Sequence, residues 1–309
     1  MPMGTFDIKG FTEVDLPRCN INPGRILMGV NLYRGVCCPG GGCAYCYARS
    51  FRVNTMNAKA PKVASLESAA GLRTMGHWPD FLFLSSSSEP LLPDPQVMAA
   101  TRALTTLAFE KGTFVSFSTK QVTGDPSFLE LLEKNSVRTS VSISLTSLNA
   151  GRNRALEVGA PCAEESLAFA KELVERGINV WIKIDAICPG LDDEAAAIAG
   201  LCRAIRAAGV KKVLFSYAFH RPAVRRRLGI ALAGLGAGHV LASMNEEQDI
   251  AAGMGWSLPL KEKVVRLALM VQAARAAGVE RVSTCGCKND IDHQAAGFDS
   301  RACEFHWGV

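Results

Sequence analysis

Cys37, Cys38, Cys43 and Cys46 place four thiols within ten residues, interleaved with Gly40, Gly41 and Gly42 and followed by Tyr45, Tyr47 and Arg49. Thiolates are soft ligands, suited to zinc or to iron–sulfur clusters. Structural zinc asks for four closed ligands, commonly two Cys-x-x-Cys knuckles or a mixed Cys and His set. Three well-spaced cysteines on a 4Fe-4S cube would instead leave one iron open to a substrate or cofactor. We therefore read Cys38, Cys43 and Cys46 as ligands of an iron–sulfur cluster, with Cys37 as the alternative to Cys38.

A loop of this kind needs a scaffold. Short apolar runs at Arg25 to Asn31, Phe81 to Leu84, Thr113 to Ser118, Val137 to Leu145, Val180 to Ile187 and Lys211 to Ala218 read as strands. Helical patterns at Ala64 to Arg73, Pro95 to Lys111, Ser127 to Glu133, Ala163 to Arg176 and Asp193 to Ala208 separate them, and Asp94 is placed to cap the second. Repeated strand-helix units imply parallel strands joined by right-handed crossovers, hence a barrel or an open doubly wound sheet. In such folds the reactive groups collect where strands end. The cysteine loop, Ser85 to Glu89, Lys120, Ser142 and Ser144, and Ile187 to Gly190 follow or close five successive strands, so they should meet on one face.

The bulk properties are compatible with that reading. The chain has 309 residues, 48% hydrophobic, enough for one large α/β domain or a core with an appendage. No stretch approaches a membrane helix and the start lacks a signal peptide's apolar centre, so a cytoplasmic protein without a membrane partner is expected. Eleven cysteines without an export signal point to metal or catalysis rather than to a disulfide framework. The net charge of +5 favours a polyanionic partner without requiring one. The run Arg225, Arg226, Arg227 reads as a solvated helix face.

The segment from Asn31, Tyr33, Arg34 and Gly35 to Cys43, Tyr45, Cys46, Tyr47, Ala48 and Arg49 resembles the cluster loop of the radical S-adenosylmethionine superfamily, and more narrowly the branch related to spore photoproduct lyase. The likeness runs on through Ser85 to Pro90, Phe117 to Lys120, Val141 to Ser144 and Val180 to Asp192. It implies a partial (β/α)6 TIM-like barrel over residues 26–230, an N-terminal extension over 1–25 and a C-terminal extension over 231–309. It also implies a 4Fe-4S cluster and bound S-adenosyl-L-methionine, cleaved by one-electron reduction to methionine and a 5'-deoxyadenosyl radical. An electron donor such as flavodoxin or ferredoxin follows from that chemistry, and nucleic acid or a nucleic-acid lesion is the expected substrate.

Carried over residue by residue, the resemblance lays Tyr45 against the adenine and sets Ser85 to Glu89 around the methionine amino group, through Ser87 and above all Glu89. Lys120 would meet the carboxylate, Ser142 or Ser144 the carboxylate or ribose, and the backbone at Ala186 and Ile187 the adenine. Each pairing has chemical sense, since a carboxylate suits an ammonium and a lysine a carboxylate.

Two departures from the family pattern alter the expectations. Val36 stands where the first cysteine would be, so Pro39 to Gly42 must form an enlarged loop. Ser86 stands where spore photoproduct lyases carry a thiol that returns a hydrogen atom to the product radical, which leaves Tyr47 or another cysteine as the expected donor. Beyond a helix over Lys261 to Ala277 and a strand over Glu280 to Ser283, the tail holds Cys285, Cys287 and Cys303. These suffice for an auxiliary iron–sulfur cluster, with His306 or a substrate as fourth ligand; a zinc site or buried free thiols are the alternatives. Other readings of the whole chain are a radical enzyme acting on a peptide or small metabolite, and a non-enzymatic zinc-binding nucleic-acid adaptor.

Overall fold

Seven strands run parallel and stand side by side in the order of the sequence: β1 (Leu27–Val30), β2 (Phe81–Leu84), β3 (Phe114–Thr119), β4 (Thr139–Ser144), β5 (Asn179–Ile187), β6 (Lys212–Tyr217) and β7 (Arg281–Thr284). The helices are α1 (Leu66–Gly71), α2 (Pro95–Glu110), α3 (Pro126–Lys134), α4 (Ala150–Leu156), α5 (Ala163–Glu175), α6 (Ala195–Ala207), α7 (Pro222–Gly234), α8 (Gly238–Ser243) and α9 (Leu260–Ala276). This computed structural model describes residues 4–8, 12–13, 26–35, 38–52, 61–250, 253–285, 291 and 293–301. Cys37, Cys287, Cys303 and His306 lie outside the described residues.

Each strand presents two different faces, because successive side chains point to opposite sides of a sheet. Val115 and Phe117 on β3, Val141 and Ile143 on β4, and Val213 and Phe215 on β6 turn outward into the main core, with Phe128, Leu129 and Leu132 of α3 and Leu104, Leu107 and Ala108 of α2. The Phe117 and Phe128 rings sit 6.2 Å apart and are both fully buried. Burying side chains of this size contributes about 1.5–3 kcal/mol each, which pins the helical layer to the sheet. The alternate residues Ser116, Ser118, Ser142, Trp181, Lys183 and Ser216 fall on the opposite, concave face. A sequential, parallel, curved sheet with its helices outside is the partial barrel expected from the sequence.

Local chemistry sets the helix starts. Asp94 accepts from the backbone N–H groups of Gln96 and Val97 at 2.9 and 3.1 Å, and Asp125 accepts from that of Phe128 at 3.2 Å, each ahead of a proline at the first helical position. The returns to the next strand are tight: after α5 only Arg176 to Ile178 intervene, and Gly177 supplies the left-handed turn at φ 73°.

The strand expected at Glu280 to Ser283 joins the barrel edge as β7, parallel to β6. A small antiparallel sheet of Phe219–His220, Gly253–Ser257 and Glu246–Ile250 was not foreseen. Its sequence Glu246, Glu247, Gln248, Asp249, Ile250 is polar and lacks the alternation that marks a half-buried strand. Among the described residues no helix is long and apolar enough to cross a membrane.

Candidate functional site

The enlarged loop between β1 and α1 is shaped against the segment that follows α4. Ala44 N–H donates to the Leu156 carbonyl at 2.8 Å, and Cys43 pairs with Glu157 in an isolated antiparallel bridge. Pro39–Gly41 forms a single 3-10 turn closed by Gly42 N–H to the Pro39 carbonyl at 3.0 Å, with Gly40, Gly41 and Gly42 all at positive φ. The fit is close at Gly159, where a Cβ would lie 2.3 Å from the Pro39 carbonyl oxygen. The extra loop residues are therefore accommodated by a partner segment rather than left projecting into solvent.

This folding turns the three cysteines toward one region. Cys38 and Cys43 both feel the charge of Cys46, and Cys43 also feels that of Cys38. Burial pushes the Cys38 thiol up to about 11 and the Cys43 thiol up to about 12. Empty, these thiols stay protonated at neutral pH; a bound metal displaces the protons and supplies the countercharge that burial demands. Lys120 draws the Cys43 value back down, so a cation already faces the thiol cage. Among the described residues, no three Cys, His, Asp or Glu side chains gather tightly enough for a single ion. Soft thiolate donors suit an iron–sulfur cluster, in which each cysteine would bind a separate iron.

From the cysteines a continuous chain of contacts crosses the loops after five strands. Cys38 Sγ lies 3.7 Å from Tyr33 Oη, which accepts from the Glu89 N–H at 2.9 Å. The Glu89 carboxylate accepts from Leu91 N–H (3.0 Å), Thr119 Oγ1 (2.6 Å) and Lys120 N–H (2.9 Å). Lys120 Nζ reaches Glu157 at 3.1 Å, and Tyr45 Oη donates to the same carboxylate at 2.6 Å. Arg152, only 2% exposed, pairs with Glu157 and forks onto Asp192 through Nε and Nη2, both at 2.9 Å. Its Nη2 also donates to the Ala186 carbonyl at 3.2 Å, and Asp192 accepts from the Cys188 N–H at 2.9 Å.

The electrostatics follow from that wiring. Burial works to raise the Glu157 pKa, but Lys120, Arg152 and the Tyr45 hydroxyl outweigh it and hold the carboxyl down at about 2. Glu89 goes the other way: burial raises it despite three donors and the nearby charge of Lys120. The Tyr45 and Tyr33 hydroxyls are both raised by burial and by nearby negative charge.

The expected residues thus fall into groups. Cys38, Cys43, Cys46, Tyr45, Lys120 and the Ala186 carbonyl come together at the C-terminal ends of the strands, with Glu89 fastened beneath Lys120. Ser87 is held by its N–H to Asn31 Oδ1 at 2.9 Å, in a turn where Ser85 adopts φ 58°. Tyr47 donates to the Ser86 carbonyl at 2.9 Å, which puts it beside the position of the expected thiol. Ser142 is fully buried on the concave face and, among the described residues, its Oγ has no hydrogen-bond partner; Ser116 Oγ is in the same state one strand away. Unpaired buried hydroxyls are uncommon and suit a surface that receives a polar group. Ser144, one register step nearer the strand end, is half-buried, while Ile187 turns into the main core and offers only backbone. Cys285 follows β7 directly and packs on Trp181 and Leu214.

Glu157, Arg152 and Tyr33 were not anticipated as site residues. Glu157 stands 112 residues from Tyr45 and 37 from Lys120, so no local spacing announces it. Arg152 and Glu157, opposite charges five apart at a short helix and its C-cap, were the available signal.

A partial parallel barrel with a thiol-rich loop after its first strand defines an α/β enzyme of the type that holds its reactive centre at the strand ends. The sequence matches the radical SAM superfamily over residues 32–217, and the chain belongs to that superfamily as an enzyme of radical chemistry. Its fold is similar to a double mutant of spore photoproduct lyase with bound AdoMet and dinucleoside spore photoproduct, at 15% identity and a TM-score of 0.63, covering 91% of this chain and 80% of that one. A single mutant of spore photoproduct lyase aligns at 14% identity and TM-score 0.64 over the same shares. The complex of spore photoproduct lyase with dinucleoside spore photoproduct gives 14% and 0.61, covering 88% of this chain and 79% of that one. No curated protein matches the sequence.

Proposed function

We propose that Cys38, Cys43 and Cys46 hold a 4Fe-4S cluster, that S-adenosyl-L-methionine binds beside it, and that the enzyme acts on nucleic acid or a nucleic-acid lesion in the cytoplasm. When bound, the cluster supplies one electron to split the cofactor into methionine and a 5'-deoxyadenosyl radical, which abstracts a hydrogen atom from the substrate. The single observation that carries this reading is the convergence of three half-buried thiols with Lys120, Tyr45 and Glu157 at the strand ends.

The protein's own groups have definable tasks there. Lys120, a cation held by Glu157, is placed to receive a carboxylate without leaving its pair, because an ammonium has three donors. Tyr45, fixed by the same carboxylate, offers a ring face for an adenine. Ser142 and Ser116 offer unpaired hydroxyls to polar atoms on the concave side. Glu89 accepts three hydrogen bonds within its own fold, two on Oε1 and one on Oε2, which holds the turn after β2 against Lys120 and leaves an acceptor site on Oε2 for the methionine ammonium, beside Ser87. Tyr47 is the nearest candidate for returning a hydrogen atom. The likeness of fold to lyases solved with a dinucleoside photoproduct and the +5 charge support a nucleic-acid substrate. Cys285, at the C-terminal end of β7, supports extending the proposal to an auxiliary cluster on Cys285, Cys287 and Cys303.

Anaerobic reconstitution tests the reading. About four irons per chain are expected for one cluster, and about eight if the tail binds another. Reductive cleavage of S-adenosylmethionine should appear with dithionite and vanish in Cys43→Ala. Zinc in place of iron, with no cleavage, would overturn it.

A further inference from the structure

The basic run on α7 does not form a plain solvated face. Together with α4 and the cluster loop it walls a groove of about 550 Å³ whose lining includes Ala44, Ala155, Val158, Arg226, Arg227 and Ile230. The floor is aliphatic and partly bare: Ile230 is 65% exposed and Val158 38%. The rim is cationic, since α7 carries Arg225, Arg226 and Arg227, α4 carries the exposed Arg154, and neither helix contains an Asp or Glu. Ala44 lies between Cys43 and Cys46, so the groove backs directly onto the cysteine loop. Arg227 grips that loop through the Gly42 carbonyl at 2.6 Å. A partner that brought carboxylates would relieve this concentration of like charge.

We propose that this groove docks an acidic one-electron carrier protein, which delivers the reducing electron through the outer wall of the cluster loop. The proposal rests on the radical reading above and adds to it the place and chemistry of the partner. An exposed aliphatic patch inside an arginine rim suits a small transient interface steered by charge, the form that electron-transfer encounters take. A nucleic-acid strand would need ring faces to stack its bases, and the lining of the groove contains no aromatic residue. The cofactor groups Lys120, Tyr45 and Glu157 are not among the residues that line the groove. In the step itself one electron leaves the reduced iron–sulfur centre of the carrier, which becomes oxidised, and enters the enzyme's cluster; no atom or proton is transferred.

The test uses an acidic plant-type ferredoxin as probe, with Arg226→Glu and Ile230→Asp, both exposed and neither part of the cofactor site. Ferredoxin should bind the wild-type protein with a strong salt dependence, and each variant should weaken binding by about tenfold or more, equivalent to about 1.4 kcal/mol. Ferredoxin-driven cleavage of S-adenosylmethionine should fall in step, while dithionite-driven cleavage stays at the wild-type rate. Unchanged ferredoxin binding in both variants overturns the docking site, as does a loss of oligonucleotide binding or of self-association without loss of ferredoxin binding. Absence of dithionite-driven cleavage in the wild type would instead overturn the radical reading, and ferredoxin binding, measured separately, still decides the groove.

Discussion

Lys120 at the end of β3 and Glu157 after α4 form a largely buried ion pair at 3.1 Å, and through it the lysine is tied to the same carboxylate that fixes Tyr45. Two groups expected to contact different parts of one small molecule are thereby set at a fixed spacing before it arrives. Preorganisation of this kind lowers the entropic cost of binding.

Glu157→Gln should weaken both the fold and the cofactor site. A carboxyl held at about 2 against an ordinary 4.5 contributes roughly 3 kcal/mol at neutral pH, at about 1.4 kcal/mol for each tenfold change in proton affinity. Because the folded value is depressed, that contribution is complete above pH 4.5 and disappears as the pH falls through about 2. Urea denaturation of wild type and variant along an acid series should show the gap closing in that window; a constant gap contradicts the assignment.

Arg152→Met removes the one cation shared by Glu157 and Asp192, leaving buried Asp192 without its cation and Glu157 with Lys120 alone. A loss of about 3–5 kcal/mol is expected. Arg152→Lys should recover little of it, since an ammonium cannot fork onto Asp192 while also reaching Glu157 and the Ala186 carbonyl. Denaturant midpoints of the two variants distinguish charge from geometry.

Gly159→Ala would drive a Cβ to 2.3 Å from the Pro39 carbonyl oxygen at a residue with φ 79°. Backbone cannot rotate aside as a side chain can, so the cysteine loop must move, at a cost of about 1–3 kcal/mol. Iron and sulfide retained after reconstitution should drop, with far-ultraviolet circular dichroism little changed. Gly40→Ala meets Val158 Cγ1 instead, a side chain with other rotamers, and should be the milder of the two.

Tyr47→Phe keeps the ring contacts with Phe51 and Phe219 and loses the hydroxyl beside Ser86. If this hydroxyl ends the radical reaction, cofactor cleavage should continue while the ratio of product formed to cofactor consumed falls severalfold. An unchanged ratio assigns hydrogen return elsewhere.

The parallel strands were legible in the sequence because an apolar run such as Phe81 to Leu84 must be covered by helices, and Asp94 was legible because capping is local. Lys120 and Ser142 were legible by their places near strand ends. Glu157 was not, since its value lies wholly in partners brought in by topology, and Glu89 was legible as a site residue but not as one that also braces Thr119 and the Lys120 N–H. The polar sheet at Glu246–Ile250 escaped because its pairing rests on backbone bonds and a buried Gln248 rather than on an apolar pattern.

The close seating of Pro39 on Gly159 bears on how this enzyme can be re-engineered. A metal-binding loop is ordinarily treated as a cassette, exchangeable between relatives. Here the cassette comes in two pieces, residues 38–46 and residues 156–159, separated by more than a hundred positions and matched in shape. A chimera that imports a shorter cysteine loop alone would leave a gap over the second piece, whereas moving both together should transplant the centre intact.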